Sequence, residues 1–457
     1  MFAYVNYFVE CKRNVNYLNG YANPAKVAPL ILIVTGSKIL RILLIVFSMF
    51  CSLAHSQQTA QNLFGQHRTA LYQIKIIELE SGNKSSIGSG FQIDTSGNVV
   101  TNYHVVSEYV YNPDKFRIEY LAHDGSQGQL QLIDVDVVND LALVRKVELS
   151  EQESAFHIAQ SLPLQGSDIY SLGNPHDLGM IVVPGTFNGL KKNSFYQRIH
   201  FTGSINPGMS GGPVVNKLGE VMGVNVATAG NQIGFLIPLE KIQALLKSQD
   251  AQVLKSEQYK PRIQEQLLAN QNRLFSLLNN HAWETSELGE ATIPSKITDF
   301  VSCWGGSNTS DKEALYLSVE NRCQLDEQIY LHHGLRTGGL EVEFEWLDGK
   351  SLGEHRFYNF YSRSITGAGA GNNATKTDVT NFRCQQDKVT NINGVTNKTV
   401  LCLRAYKEFD QLYDVLFVAA TLDHTQQGLI SHYTMAGVSK ESASVFTQKF
   451  MDAIAWQ

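Results

Sequence analysis

Charge is scarce in this chain and is not clustered. Only 18% of its 457 residues are Asp, Glu, Lys or Arg, the formal net charge is −6, and no long basic run occurs. A nucleic-acid partner, which needs a concentrated positive surface, is therefore not expected. Long apolar runs are missing too: the stretch from Ile42 to Leu53 is shorter than the ~20 residues a membrane-spanning helix requires. Cysteine is rare. There are six, none lies between Cys51 and Cys303, and no C-x-x-C spacing occurs, so a zinc site built from cysteines is the weaker reading of those present. No internal repeat, metal-ligand set or cofactor motif is found. What remains, 43% hydrophobic residues in a chain long enough for two or three domains, reads as globular.

Residues 1–56 have the layout of a secretory leader. Lys38 and Arg41 precede the apolar run, and Ala54 and Ser56 are small residues at −3 and −1 of a cut after Ser56. A short N-terminal anchor is the competing reading, and a lipid on Cys51 is disfavoured by bulky Phe50 before it. Because the leader pattern begins well inside the chain, the expectation is that translation starts downstream and that residues 1–33 are not part of the product. Membrane contact is expected only through an uncleaved leader.

Export suits the other cysteines. Cys303, Cys323, Cys384 and Cys402 all fall in the last third, an even number suggesting two disulfides. Of the three connectivities, sequence-local pairing, Cys303–Cys323 and Cys384–Cys402, is the simplest. Asn83, Asn308, Asn373 and Asn397 lie in N-x-S/T sequons, which mean nothing in a bacterial host.

From Tyr72 to Pro238, short alternating or apolar runs are punctuated by Gly, Asn, Asp and Pro, as in "YQIKIIELE", "GNVVTNYHVV", "DLALVRKV" and "IGFLIP". Many short strands at that spacing predict an all-β barrel or sandwich. "PLEKIQALLKSQ" (238–249) predicts a closing helix. "PRIQEQLLANQNRLFSLLNNHAWE" (261–284) predicts an amphipathic connector with Ile263, Leu267, Leu274 and Leu278 on one stripe and Pro261 at its start. Residues 291–457 read as an α+β region. "LEVEFEWLDG" alternates as a strand and ends in a hairpin signal at Asp348-Gly349, 366–378 is a small-residue loop, and the terminal helix is capped by Ser439 with Phe446, Phe450 and Ile454 inward.

The chemistry concentrates in "NPGMSGGPVVN" (206–216). A serine hydroxyl becomes a useful nucleophile only when a base takes its proton and fixed N–H groups meet the developing oxyanion. Glycines around Ser210 let the N–H groups of Gly208 and Ser210 turn into one pocket. His104, where an apolar strand ends, is the candidate base. Asp140, heading the strand of "NDLALVRKV", is favoured over Asp134 and Asp136 as the carboxylate that orients it. His332-His333 and Asp423-His424 read as surface or strand-end residues.

The order His104, Asp140, Ser210 resembles that of chymotrypsin-like proteases, and the segments around it resemble the protease domain of the HtrA/Deg family. The resemblance rests on "GSGFQIDTSGNVVTNYHVV", "NDLALVR", "YSLGNPHDLG", "SINPGMSGGPVVNKLGEVMGVNVAT" and "GFLIP", five motifs in family order over the middle third of the chain. It implies two six-stranded barrels with His104 and Asp140 on the first and Ser210 on the second. It also implies that Gly208 and Ser210 form the oxyanion hole, and that the enzyme acts on proteins or peptides without a cofactor. Met209 departs from the Asn or Asp usual before the nucleophile, which leaves the resting shape of the oxyanion loop open. No PDZ domain is recognisable.

The resulting expectation is a mainly β protein. A leader (1–56) precedes a chymotrypsin-like double β-barrel protease domain (57–249), a helical connector (250–290) and a disulfide-bearing α+β C-terminal domain (291–457). A substrate pocket is placed near Ser204, Val224, Asn225 and Val226, with no acid to select Lys or Arg and hence a small or medium apolar P1 residue. The expected activity is that of a periplasmic or secreted serine endopeptidase. The alternatives are a catalytically silent protease-like binding protein and a narrow-specificity protease of the glutamyl-endopeptidase kind.

Overall fold

The computed structural model describes residues 59–457 apart from 151–152, 231, 249, 367–368, 370 and 373. The leader, with Cys11 and Cys51, lies outside the described residues, as does Asn373. No helix among the described residues is long and apolar enough to cross a membrane.

Six strands, β1 (Leu71–Glu78), β2 (Lys84–Gln92), β3 (Asn98–Thr101), β4 (Phe116–Ala122), β5 (Gln127–Asp136) and β6 (Leu141–Lys146), close into a barrel in the order β1-β2-β3-β6-β5-β4. Helix α1 (Tyr103–Tyr111) follows β3. Six more, β7 (Asp168–Gly173), β8 (Ile181–Leu190), β9 (Ile199–Thr202), β10 (Pro213–Val215), β11 (Val221–Thr228) and β12 (Ile233–Pro238), close into a second barrel in the order β10-β11-β12-β9-β8-β7. Closure pairs every strand on both sides and removes the free edges that short Val- and Ile-rich strands would otherwise expose. Phe187, Ile199, Phe201, Val214, Met222 and Leu236 fill the second barrel. A separate buried cluster joins Leu71, Phe91, Val100, Leu141 and Leu143 of the first barrel to Tyr170, Leu172, Val215, Val221 and Ile237 of the second. Burial on both faces is why these strands read as continuous apolar runs.

Helix α2 (Leu239–Leu245) buries Leu239, Ile242 and Leu245. Helix α3 (Ser256–Asn280) buries the expected stripe of Ile263, Leu267, Leu274 and Leu278, but it starts ahead of Pro261. Gln258 Oε1 accepts the Lys255 N–H at 2.9 Å and opens the helix there. The bond that Pro261 cannot donate is lost on the exposed side of the early turns, where its absence matters least.

Beyond α3 the chain forms β13 (Glu284–Leu288), β14 (Ala291–Lys296), β15 (Ser302–Ser307), β16 (Leu317–Gln324), β17 (Ile329–His332), β18 (Leu335–Thr337) and β19 (Leu340–Asp348). After helix α4 (Glu354–Thr366) come β20 (Arg383–Thr390), β21 (Thr396–Ala405), β22 (Tyr413–Thr421), β23 (Gln427–Val438), helix α5 (Lys440–Asp452) and β24 (Ala455–Trp456). Seven of these strands make one sheet, ordered β15-β16-β19-β23-β22-β21-β20, while β17 and β18 pair alone as a hairpin and β13, β14 and β24 form a small sheet. Strand β19 alternates as read from the sequence, but Asp348-Gly349 does not make a hairpin. Strand β19 pairs with β16 and β23 instead, and the turn after Gly349 leads into α4, which buries Phe357 and Tyr361.

Both disulfides join directly paired residues, Cys303–Cys323 across β15 and β16 and Cys384–Cys402 across β20 and β21, so each fastens one outer strand of the sheet. Ser439 Oγ caps α5 by accepting the Ser442 N–H at 3.1 Å. Phe446 and Phe450 point inward as expected, whereas Ile454, also buried, lies past the helix end. The first-barrel interior (Tyr72, Ile74, Ile76, Leu132, Val144), the α3 stripe and the sheet residues Phe344, Phe417 and Tyr433 share one apolar core.

Candidate active site

Strand β3 stops at Thr101, and the chain passes through extended Asn102 (φ −81°, ψ 150°) into α1. His104 therefore stands in the first turn of a helix, not at a strand end. The first N–H groups of a helix lack intrahelical partners, and Asp140 satisfies one of them: its Oδ1 accepts the His104 backbone N–H at 2.8 Å. Its Oδ2 is 2.7 Å from Nδ1 of the same histidine. One carboxylate thus holds both the main chain and the ring. An ionised carboxylate only accepts, so Nδ1 carries the hydrogen and Nε2 the lone pair. Nε2 has no hydrogen-bond partner among the described residues.

Asp140 adopts the left-handed region, φ +63°, which disfavours a residue with a Cβ by about 1–2 kcal/mol. It is fastened on both sides, since its carbonyl also accepts from Asn102 Nδ2 at 2.7 Å. Burial disfavours a charged imidazole at His104, but the attraction of Asp140 and its hydrogen bond together outweigh burial and raise the pKa above the ordinary histidine value. The rival carboxylates are engaged elsewhere. Asp134 binds Arg262 at 3.0 and 3.2 Å, and Asp136 accepts from the backbone and side chain of Asn139.

Ser210 follows a tight turn. The Met209 N–H bonds to the Asn206 carbonyl at 3.0 Å around Pro207 and Gly208, and Gly208 has φ +95°. Proline followed by a residue of positive φ defines a type II turn. A Cβ on Gly208 would stand 2.4 Å from the Asn174 carbonyl oxygen. Orientation follows from one bond: the Pro207 carbonyl accepts the His176 N–H at 2.9 Å, so in a trans peptide the Gly208 N–H points away from His176. Neither that N–H nor the N–H of Ser210 has a partner among the described residues.

Ser89, in β2 and fully buried, anchors the loop, a role the sequence motif "GSGF" does not reveal. Its N–H donates to the Ser210 carbonyl at 2.8 Å, and its Oγ donates to the Gly208 carbonyl at 2.7 Å and accepts the Asn174 N–H at 2.9 Å. Gly211 lies so close that a Cβ there would meet Ser89 O at 2.3 Å, Thr101 Oγ1 at 2.4 Å and Asn102 N at 2.9 Å. The residue after Ser210 therefore rests on the backbone that leads into His104. Met209 is wholly buried among Val214, Met222 and Leu236 in the second barrel. It is apolar because its side chain is part of that core.

Of the pocket candidates, Ser204 is exposed and Val226 half-buried. Val224 and Asn225 are fully buried, so their side chains cannot line a pocket open to solvent, and only the backbone there can. Asn225 is a bracing residue: Oδ1 accepts from Ser171 Oγ at 2.8 Å, and Nδ2 donates to the carbonyls of Leu172 and Met209 at 3.1 and 3.3 Å. His332, at the end of β17, pairs with Asp378 at 3.0 Å, and His424 stacks on Trp456 at 3.6 Å. Glu341, Glu343 and His432, on β19 and β23, bring ligand atoms within 4.8 Å of one another. Glu341 is already paired with Arg322 at 2.9 Å, and Glu343 lies 3.6 Å from His432 within the same group.

Two closed six-stranded barrels, the first carrying a His–Asp pair and the second a Gly-x-Ser-Gly-Gly turn, define the double β-barrel class to which chymotrypsin-like proteases belong. Residues 88–224 match the family model of the trypsin-like peptidase domain, and the HtrA-like reading of the motifs is borne out over this segment. The chain is 33% identical over 168 residues to "Serine protease HTRA1" of Xenopus tropicalis, covering 35% of each chain. It is 34% identical over 162 residues to "Probable periplasmic serine endoprotease DegP-like" of Chlamydia trachomatis, covering 33% of this chain and 31% of that one. A crystal structure of the serine endoprotease from Yersinia pestis aligns over 41% of this chain and 65% of that one, at 26% identity and a TM-score of 0.36. The chain spans about a third of the length of the two curated relatives.

Proposed function

We propose that the protein is a serine endopeptidase that cleaves peptide bonds through Ser210, His104 and Asp140. The observation that carries this reading is the Asp140 carboxylate bonded at once to the backbone N–H and to Nδ1 of His104. This leaves Nε2 as the basic nitrogen of His104, free to accept a proton. Nε2 takes the Ser210 hydroxyl proton as Oγ attacks the scissile carbonyl carbon. The carbonyl oxygen of the resulting tetrahedral species is received by the N–H groups of Gly208 and Ser210, already turned away from other partners. Protonated Nε2 then gives its proton to the departing amine, leaving an acyl-enzyme. A water, deprotonated by the same nitrogen, releases the acid and restores Ser210. Asp140 stabilises the imidazolium throughout without taking a proton itself.

In this reading, residues 57–249 are the catalytic domain, 250–290 a connector that is helical over Ser256–Asn280 and, contrary to the helix expected to 284, ends in strand β13, and 291–457 a C-terminal domain fastened onto it. Proteins or peptides are the substrates. An exported location fits the leader pattern and the two disulfides, which persist in oxidising compartments, and one of the similar proteins is named as periplasmic. The silent-scaffold alternative drew on Met209, whose burial in the barrel core gives it a structural reason independent of catalysis. The test is labelling of the full chain with a fluorophosphonate, alongside casein cleavage. Wild type should be labelled and active and Ser210→Ala neither, and labelling that persists in Ser210→Ala rejects the assignment.

A further inference from the structure

The helix that carries His104 is gripped by residues more than two hundred positions further along the chain. Tyr103, fully buried, donates its hydroxyl to the Leu331 carbonyl at 3.0 Å. Tyr111, two turns on, packs edge-on against His332 with ring centroids 4.6 Å apart, and His332 is itself held by Asp378. Positions 103, 107 and 111 share one helix face, and the β17–β18 hairpin lies along it. In the same strand, next to Leu331, the ring of Tyr330 stands edge-on to the His104 imidazole, with centroids 6.1 Å apart and planes at 78°.

We propose that Tyr330 is a positioning residue for the reaction: its ring walls one side of the His104 imidazole and keeps Nε2 aimed at Ser210. This rests on the reading of His104 as the general base. Asp140 fixes one nitrogen through a single ring hydrogen bond, and an imidazole so held can still tilt about it. An aromatic edge on the flank removes that freedom, and edge-to-face contact is an arrangement that aromatic pairs favour. The C-terminal region thereby contributes a wall of the catalytic site. A serine protease of this design could orient its histidine from within the barrels alone.

The ionisable groups facing the imidazole are Asp140, from the turn before β6, and Tyr330, from β17. Arg198, just before β9, acts on Asp140, while Glu108 on α1 and Arg336 on β18 act on Tyr330. Burial pulls the His104 pKa down against the larger combined effect of Asp140. Removing the Tyr330 ring relieves part of that burial, so the pKa moves further up.

The experiment compares full-length wild type, Tyr330→Ala and Tyr330→Phe in peptide hydrolysis and in the pH dependence of fluorophosphonate labelling. In Tyr330→Ala, kcat and the labelling rate should fall by about tenfold or more, a part of the roughly 10²–10⁴ that a well-placed base contributes, with KM nearly unchanged. Its acid limb should move to higher pH, and Tyr330→Phe, which keeps the ring, should recover most of the loss. If the melting curve shows Tyr330→Ala to be unfolded, Tyr330→Leu, which keeps bulk without the aromatic edge, takes its place with the same expected fall in kcat and labelling rate and an acid limb close to that of wild type. Wild-type kcat and acid limb in the ring-less variant overturn the proposal, as does a Phe variant as impaired as Ala. Should wild type itself escape labelling at Ser210, the protease reading fails first. A labelled wild type matched by Tyr330→Ala defeats only the role of Tyr330.

Discussion

Replacing Gly208 by alanine tests the oxyanion geometry with one methyl group. The residue has φ +95°, where a Cβ is disfavoured by about 1–2 kcal/mol. The Cβ would also stand 2.4 Å from the Asn174 carbonyl oxygen, a backbone atom that cannot swing aside as a side chain would. The least costly escape is rotation of the Pro207–Gly208 peptide, which breaks the His176 N–H bond to Pro207 and turns the Gly208 N–H away from the substrate carbonyl. Losing one such donor lowers kcat by about 10²–10³, or ~2.7–4 kcal/mol of transition-state stabilisation. The strain itself should lower the melting temperature by about 2–8 °C, at roughly 2–4 °C per kcal/mol. The assay is steady-state hydrolysis of a chromogenic peptide beside a thermal melt. The expected signature is a collapse in kcat, a small change in KM and a modest melting shift. A variant that melts lower yet keeps kcat/KM within about threefold of wild type would refute the reasoning, because the turn would be strained while the chemistry did not depend on it.

Asp140→Asn should reduce kcat/KM by ~10⁴, the scale set by a wrong imidazole tautomer. It should also move the acid limb to lower pH, since the two influences that raise the His104 pKa vanish while burial remains; an unmoved limb contradicts this. The sign for stability is opposite in pH. With the folded pKa raised, the added stabilisation from the charged form of His104 beside Asp140 is fully present below about 6.5 and is lost as pH climbs through the folded value, so a melting series across neutral pH should show wild type losing part of its advantage over Asp140→Asn. Met209→Ala should destabilise the protein by about 2–5 kcal/mol in chemical denaturation, as expected for a fully buried side chain, and a loss under ~1 kcal/mol would mean that it is no part of the core. Replacing either disulfide pair by serines should remove roughly 3 kcal/mol, given sequence separations of 20 and 18, and reductant should erase the difference from wild type.

The sequence made the barrels legible because their strands are short, apolar and separated by turn residues. The chemistry was legible because each motif is local: Gly208 and Ser210 sit two residues apart, and Asp140 opens the strand that follows it. Which side chains face inward was harder to see. Val224 and Asn225 belong to a strand buried on both faces, so alternation does not separate cleft from core there. Met209 appeared as an anomaly of the nucleophile segment, and its reason lies in Val214, Met222 and Leu236, which pack around it only once the barrel closes. The start of α3 was misplaced because Pro261 is a stronger signal in a sequence than the Gln258–Lys255 bond that opens the helix.

Ser89 and Tyr330 had no sequence signal at all, and for the same physical reason. A serine in a strand can satisfy its own chain or brace another, and nothing within ten residues of Ser89 says that its partners are Gly208, Ser210 and Asn174. Tyr330 stands in a hairpin of a region whose own pattern carries no catalytic motif. Its relation to His104 depends on Tyr103 finding Leu331 across a separation of 228 residues. Such contacts are set by the shared core of the first barrel, α3 and the seven-stranded sheet, which brings β17 against α1 as a consequence of packing elsewhere. The groups proposed for catalysis are therefore written locally, whereas the contacts proposed to hold them still are written in the fold.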